Sequence, residues 1–411
     1  MKLDLTDPLF LKAIPVLKEL ESHGYEAYFV GGCVRDSLLN KGISDIDIAT
    51  SAFPEEVQSI FPKHFDVGLE HGTVVVLFHG ESYEITTFRT ESTYSDYRRP
   101  DQVSFVRDLV EDTKRRDFTI NAMALDARGV LFDYHDGLKD LEDQKIRAVG
   151  QAHDRFQEDA LRMMRAIRFA SQLGFELESQ TYIAIQALSK NLAYISIERI
   201  RIEFEKTMLG RHFNCCLPLI KESHLLDHFP LYNGQRYCLG MDALANEISD
   251  LKDYSIVQAW AFLLRGMELS ESSDRQNLLK KWTLSNQRIN QIQEYYQLIV
   301  NVENGAIQPI DLYSFSSQSI ELLEDYLIAK EQKSLAALIR DHFDSLAIHD
   351  RKELALNGSD IMQILDMHHG GPLIGQILDY LETQVIKNNL RNDRLILEKA
   401  VQDYSKSYND S

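Results

Sequence analysis

Strand signals run from about residue 25 to residue 150 and then stop; every later pattern is helical. A chain of this kind folds as a mixed sheet with its own helices, followed by an elongated all-α region, which is an α+β organisation. No internal repeat offers a solenoid instead. In the first part, Asp7-Pro8 opens a helix, since Asp caps and Pro suits the first helical position. Leu9, Ile14, Leu17 and Leu20 give that helix an apolar side, and Gly24 ends it. Residues 25–30, 44–49, 73–78, 83–88 and 131–134 read as strands, and 118–125 as a further apolar segment. Residues 91–117 are polar and rich in Tyr and Arg, which predicts a long loop. Residues 158–173 predict one helix stopped by Gly174.

Four patterns carry chemistry. Gly31-Gly32-Cys33-Val34-Arg35-Asp36 lies between a strand and a helix. Two glycines let the backbone approach a bulky anion, and Arg35 can add a charge-assisted bond; alone, the pair fits a tight structural turn better. Asp45-Ile46-Asp47 falls in a predicted strand, where alternation puts both carboxylates on one face. Like charges there are unfavourable without a cation, and Mg²⁺ suits two carboxylates plus substrate phosphates. A solvated strand edge explains the pair equally well until the glycine turn is counted; together they make the layout that a nucleoside triphosphate needs. Arg115-Arg116-Asp117-Phe118-Thr119-Ile120-Asn121-Ala122 sets basic groups, a carboxylate and an amide before an apolar run. Arg116 could hold a triphosphate and Asp117 accept from a ribose hydroxyl, although composition alone favours an ordinary basic loop. Finally, Asp159, Arg162, Arg165 and Arg168 recur every three residues, so on one helix they form a slanting stripe. Salt-bridged solvent faces are the usual fate of such stripes, but here the local acids are few.

Charge and cysteine content limit the setting. The net charge of −19, from 63 acidic and 44 basic residues, argues against a nucleic-acid partner unless a local basic surface exists. No apolar run is long enough to span a membrane, and no signal-peptide pattern opens the chain. Four cysteines in 411 residues suit neither a disulfide scaffold nor a zinc site, and predict a cytoplasmic setting.

Taken together, the four patterns resemble the class II tRNA nucleotidyltransferases, the bacterial CCA-adding enzymes of Gram-positive type, with poly(A) polymerases as relatives. Glu198-Arg199-Ile200-Arg201-Ile202-Glu203-Phe204 is similar to the family's fifth motif, and the segments from Lys352 to Asp360 and from Gly371 to Gly375 to its tail. The resemblance implies a nucleotidyltransferase head (1–150), a base-selecting neck (151–212), a body (213–310) and a tRNA-binding tail (311–411). It implies Asp45 and Asp47 as catalytic Mg²⁺ carboxylates, with Glu84 a weaker candidate for a third. Gly32 and Arg35 then match the triphosphate loop, Arg116 a nucleotide contact and Asp117 a ribose contact. Asp159 and Arg162 match the pair that reads the base, supported by Arg165 and Arg168. The implied reaction adds C, C and A to tRNA lacking all or part of its 3′ CCA, from CTP and ATP, with pyrophosphate released and no membrane involved; a single chain and a homodimer are both compatible with it. The rivals are a poly(A) polymerase, an enzyme adding only CC or only A, and a non-catalytic RNA-binding protein. His349-Asp350 lacks companion ligands and reads as structural.

Overall fold

The computed structural model describes every residue except 67–71, 92–102, 368 and 410–411. Its contacts divide the chain into two compact units: Met1–Cys238 with Lys281–Thr283, and Leu239–Lys280 with Leu284–Ser411. The division falls inside the stretch 213–310 expected as one body.

The first unit opens with α1 (Pro8–Ser22), whose N-cap Asp7 accepts from the Leu9 N–H at 2.8 Å. Its buried face is Phe10, Ala13, Val16, Leu17 and Leu20; Leu9 and Ile14 are only half-buried. Then come β1 (Ala27–Val30), α2 (Gly32–Leu38), β2 (Asp47–Thr50), α3 (Pro54–Ile60), β3 (His64–Phe65), β4 (Thr73–Phe78) and β5 (Glu81–Thr87). A hairpin of β6 (Arg89–Glu91) and β7 (Val103–Phe105) leads to α4 (Leu109–Lys114), a 3₁₀ turn (Thr119–Asn121), β8 (Ala124–Leu125) and β9 (Leu131–Phe132). Seven of these strands form one mixed sheet in the order β3-β4-β5-β2-β1-β8-β9. In it β2 and β5 run parallel and the other neighbours antiparallel. Register matters for the site: Val30 at the end of β1 pairs with Asp47, and Asp47 pairs in turn with Glu84. Phe10 and Phe29, both fully buried with ring centroids 4.8 Å apart, fasten α1 to the sheet.

After α5 (Gly137–Glu142) and β10 (Lys145–Ile146) come α6 (Ala152–Glu158), α7 (Leu161–Leu173), β11 (Glu176–Leu177), α8 (Ser179–Leu188) and α9 (Ile197–Met208). Gly174 closes α7 with φ +75°, as its sequence position predicts. Trp282 belongs to this unit too. It is fully buried, stacks on Phe204 at 5.3 Å and donates from Nε1 to the Tyr237 hydroxyl at 2.9 Å.

The second unit carries no strand among its described residues. Its helix Ile256–Gly266 starts at a capping box in which Ser255 and Gln258 satisfy each other's backbone N–H groups. Seven consecutive buried residues, Ala259 to Leu264 after Gln258, place that helix at the centre of the unit.

Three sequence expectations change. The strand expected over 44–49 begins only at Asp47, so Asp45 and Ile46 lie in the preceding extended segment and strand alternation does not govern Asp45. The single helix expected over 158–173 is two helices. Asp159 between them is extended (φ −134°, ψ 104°), because its Oδ1 accepts from the Leu161 N–H at 3.0 Å and competes with helix continuation. The loop expected over 91–117 contains β7 and α4; its portion 92–102 lies outside the described residues.

Candidate active site

All ten residues singled out from the sequence line one cavity of about 780 Å³: Gly32, Arg35, Asp45, Asp47, Arg116, Asp117, Asp159, Arg162, Arg165 and Arg168. Eight arginines and five aspartates line it. This is the local basic surface that the net charge of −19 left open.

The floor is set by the β1–α2 turn. Gly31 has φ +74° and ψ −130°, a backbone state suited to glycine. A Cβ there would stand 3.5 Å from Asp47 Oδ2 and 3.9 Å from Arg116 Nη1, in the space between carboxylate and guanidinium. One turn into α2, Arg35 is held by Asp36 through Nε at 2.9 Å and Nη2 at 2.8 Å. Its Nη1 donates to Asn121 Oδ1 at 2.7 Å.

Asp47 opens on the cavity but has protein on most sides. Burial pushes its carboxyl above the usual range, and the charges of Asp45 and Glu84 push it further, against the pull of Arg116. Asp45 is exposed and accepts from the Ser44 hydroxyl at 2.8 Å. Mutually repelling carboxylates are a donor set that a hard divalent cation relieves, so Asp45 and Asp47 fit Mg²⁺. Among the described residues no group of three or more acidic, His or Cys side chains is arranged to hold a metal. Glu84 bears on Asp47 by charge and register but does not line the cavity.

Arg115 and Arg116 follow α4 and share the fully buried Asp112. It accepts from Arg115 Nη2 at 2.6 Å and from Arg116 Nη2 at 3.1 Å. Burial alone would raise the Asp112 carboxyl, but Arg116 and Arg115 hold it below the ordinary value. Arg116 Nε is buried with no hydrogen-bond partner among the described residues, a donor in the cavity wall that an anion would satisfy.

Asp117 is fully engaged. Oδ1 accepts from the Phe118 N–H at 2.8 Å and from Asn121 Nδ2 at 3.2 Å, while Oδ2 accepts from Arg165 Nε at 2.7 Å and also from Arg165 Nη2. Burial works to raise its pKa, but Arg165 wins and draws it down to about 2.

The acids that the arginine stripe lacked locally come from elsewhere in the chain. Arg162, buried at 8% exposure, donates to Glu158 at 2.7 Å, to the Arg155 carbonyl at 3.2 Å and to the Arg115 carbonyl at 2.9 Å. Arg165 takes Asp117, and Arg168 Nε lies 3.0 Å from Glu203 Oε2 on α9. Burial lowers the Arg168 pKa to about 10 despite Glu203. The Phe169 ring separates the guanidinia of Arg168, Arg35 and Arg165, at 4.3, 5.1 and 5.6 Å from its centroid. Asp159 pairs not with Arg162 but with Arg199 of α9, Nη2 to Oδ2 at 2.8 Å.

Comparison with known proteins agrees with this construction. A family model described as the poly A polymerase head domain matches residues 27–147. A probable RNA and SrmB-binding site of polymerase A matches 174–234, and a putative second domain of tRNA nucleotidyltransferases matches 254–401. The CCA-adding enzyme of Enterococcus faecalis is 44% identical, with 97% of both chains covered. The chain belongs to the CCA-adding enzymes. The CCA-adding enzyme of Lactococcus lactis is similar at 43% identity, again over 97% of both chains. A solved structure of the Bacillus stearothermophilus CCA-adding enzyme in complex with CTP superposes with a TM-score of 0.82 at 35% identity, covering 98% of this chain and 99% of that one. The name CCA-adding enzyme extends over the full length of these relatives, whereas the polymerase A models match only parts of the first unit.

Within this CCA-adding enzyme, sequence reasoning gave no role to Asn121, Asp112, Phe169, Arg199 or Glu203. Asn121 and Arg199 stood inside the quoted motifs, so their signal was present. Asp112 and Glu203 are found only through their buried arginine partners.

Proposed function

We propose that this cavity is where the chain adds C, C and A to the 3′ end of tRNA from CTP and ATP, without a nucleic-acid template and with release of pyrophosphate. The observation that carries the reading is the convergence of all ten residues on one arginine-rich cavity in a chain so like a CTP-binding relative. Arg35 and Arg116 face the triphosphate and neutralise charge that grows on it during transfer. The Gly31-Gly32 turn gives the phosphates room beside Asp47. Asp117 marks the ribose end. Asp159 and Arg162 read the base edge, with Arg165 and Arg168 behind them. Mg²⁺, held by Asp45 and Asp47 with the substrate phosphates, would lower the pKa of the tRNA 3′-hydroxyl and steady the departing oxygens. The residues otherwise position the two substrates for in-line attack.

The helical second unit, including the tail from residue 311, grips the tRNA by its backbone and shape, which an acidic protein can do through a limited basic surface. The reaction belongs in the cytoplasm, where the four free cysteines stay reduced. No helix among the described residues is long and apolar enough to cross a membrane. Every cavity residue comes from one chain, so the site demands neither a monomer nor a dimer. The test is incorporation: tRNAs ending before CCA, after C and after CC, each offered CTP, ATP, UTP or GTP with Mg²⁺. Sequential addition of C, C and A is expected. Addition of only CC, only A, or a run of A would replace this reading with one of the partial or poly(A) activities.

A further inference from the structure

Asn121 is the best-placed uncommitted group at the sugar end of the site. Its amide orientation is fixed by chemistry: Arg35 only donates, so the atom 2.7 Å from Nη1 is oxygen, and the Asp117 carboxylate only accepts, so the atom 3.2 Å from Oδ1 is nitrogen. A carboxylate offers about four acceptor directions. On Asp117 those are taken by the Phe118 N–H, Asn121, and two nitrogens of Arg165. An amide offers two N–H groups and two lone pairs. Asn121 spends one of each on Asp117 and Arg35. It is 7% exposed and lines the cavity.

From this we infer that Asn121 is the residue that reads the ribose 2′-hydroxyl of the incoming nucleotide, donating its second Nδ2–H to the hydroxyl oxygen, while Asp117 positions the amide. The inference rests on the reading that the sugar binds at the Asp117 end. Asn121 is thus a specificity-determining residue that accepts ribonucleotides over 2′-deoxyribonucleotides. Arg35, held by the other end of the same amide, links sugar reading to triphosphate binding.

The experiment compares CTP with 2′-deoxy-CTP as substrates for the full chain on tRNA lacking CCA, in wild type, Asn121→Ala and Asp117→Asn. In Asn121→Ala, kcat/KM for CTP is expected to fall roughly tenfold or more, the scale of one hydrogen bond lost in a buried site. Its value for 2′-deoxy-CTP should change far less, because that substrate has no hydroxyl to lose. A merely structural role for Asn121 would lower both substrates equally, and that result overturns the inference. If Asp117→Asn collapses the CTP preference while Asn121→Ala keeps it, the sugar end is right and Asn121 is not its reader. If both variants keep the wild-type ratio, the sugar binds elsewhere, and the reading falls with the inference. Should Asn121→Ala fail to fold, Asn121→Ser, too short to span Asp117 and Arg35, decides by the same ratio.

Discussion

Arg199 on α9 donates to Asp159 across 40 residues of sequence, Nη2 to Oδ2 at 2.8 Å. Asp159 sits in the break between α6 and α7, where its other oxygen accepts from the Leu161 N–H at 3.0 Å. Two contacts from two elements therefore fix a carboxylate that a regular helix would have left swinging on its surface. Arg199 Nη1 is buried and lacks a hydrogen-bond partner among the described residues, so the guanidinium keeps a donor beside the base-reading position.

Removing that brace should loosen base choice. In Arg199→Ala, Asp159 keeps only its backbone contact, and kcat/KM for CTP and ATP should fall by roughly tenfold or more, the worth of a charge-assisted hydrogen bond. Rejection of UTP and GTP should weaken in parallel. Kinetics with all four triphosphates provide the check; wild-type discrimination in a folded Arg199→Ala protein would mean that Asp159 needs no support.

Asp159 and Arg162 are expected to part company in their variants. Cytosine and adenine each present an amino donor beside a ring-nitrogen acceptor, which suits a carboxylate and a guanidinium; uracil and guanine present a carbonyl and an N–H instead. Either Ala variant should therefore lose preference for CTP and ATP. Only Arg162→Ala should also lower the melting temperature, because it orphans Glu158 and the carbonyls of Arg155 and Arg115. Calorimetry of the two variants beside their kinetics separates the roles, and equal melting temperatures would count against this division.

The pattern of strands and glycines made the sheet legible because burial period and turn chemistry are local properties. Gly31 is an example: its position between a strand and a helix already implied an unusual backbone, and its φ is +74°. The interrupted helix at Asp159 was not legible. Every residue of 158–173 favours a helix, and the break depends on Arg199, whose proximity only the fold creates. The same holds for the arginine stripe, which read as short of acids because Asp117 and Glu203 reach it from other elements.

The Asp117–Arg165 pair makes a pH prediction. Asp117 has a folded pKa of about 2, below the ordinary carboxylate value near 3.9. A depressed carboxyl adds stability that is fully present above the unfolded value and is lost as pH falls through the folded one. Arg165→Met should strip Asp117 of its partner and cost roughly 3 kcal/mol at pH 7, since a buried charge is left uncompensated. Urea unfolding at pH 7 and at pH 3 should find the gap between wild type and variant shrinking in acid. A constant gap would mean that lost packing, not charge, dominates.

Asp47 makes the opposite prediction, and here activity and stability oppose each other. Burial, then Asp45 and Glu84, raise its pKa, so the folded protein binds this proton more tightly than the unfolded chain does. The sign follows from linkage: the charged Asp47 penalises the fold above its folded pKa, and the penalty is relieved as pH falls through that value. Asp47→Asn should thus raise the melting temperature of chelator-treated protein at neutral pH. Mg²⁺ should raise the melting temperature of wild type, by screening Asp47 from Asp45, and have little effect on the variant. Nucleotide addition should fall by roughly a thousandfold or more, because several kcal/mol of metal-assisted transition-state stabilisation is lost. Activity should also decline in wild type as acid protonates Asp47, at a higher pH than an ordinary aspartate would require. Melting curves with and without Mg²⁺, set beside incorporation rates, test all of this together. A variant that is less stable without metal, or that still responds to Mg²⁺ as wild type does, would remove Asp47 from the metal position and leave its raised pKa as a consequence of burial alone.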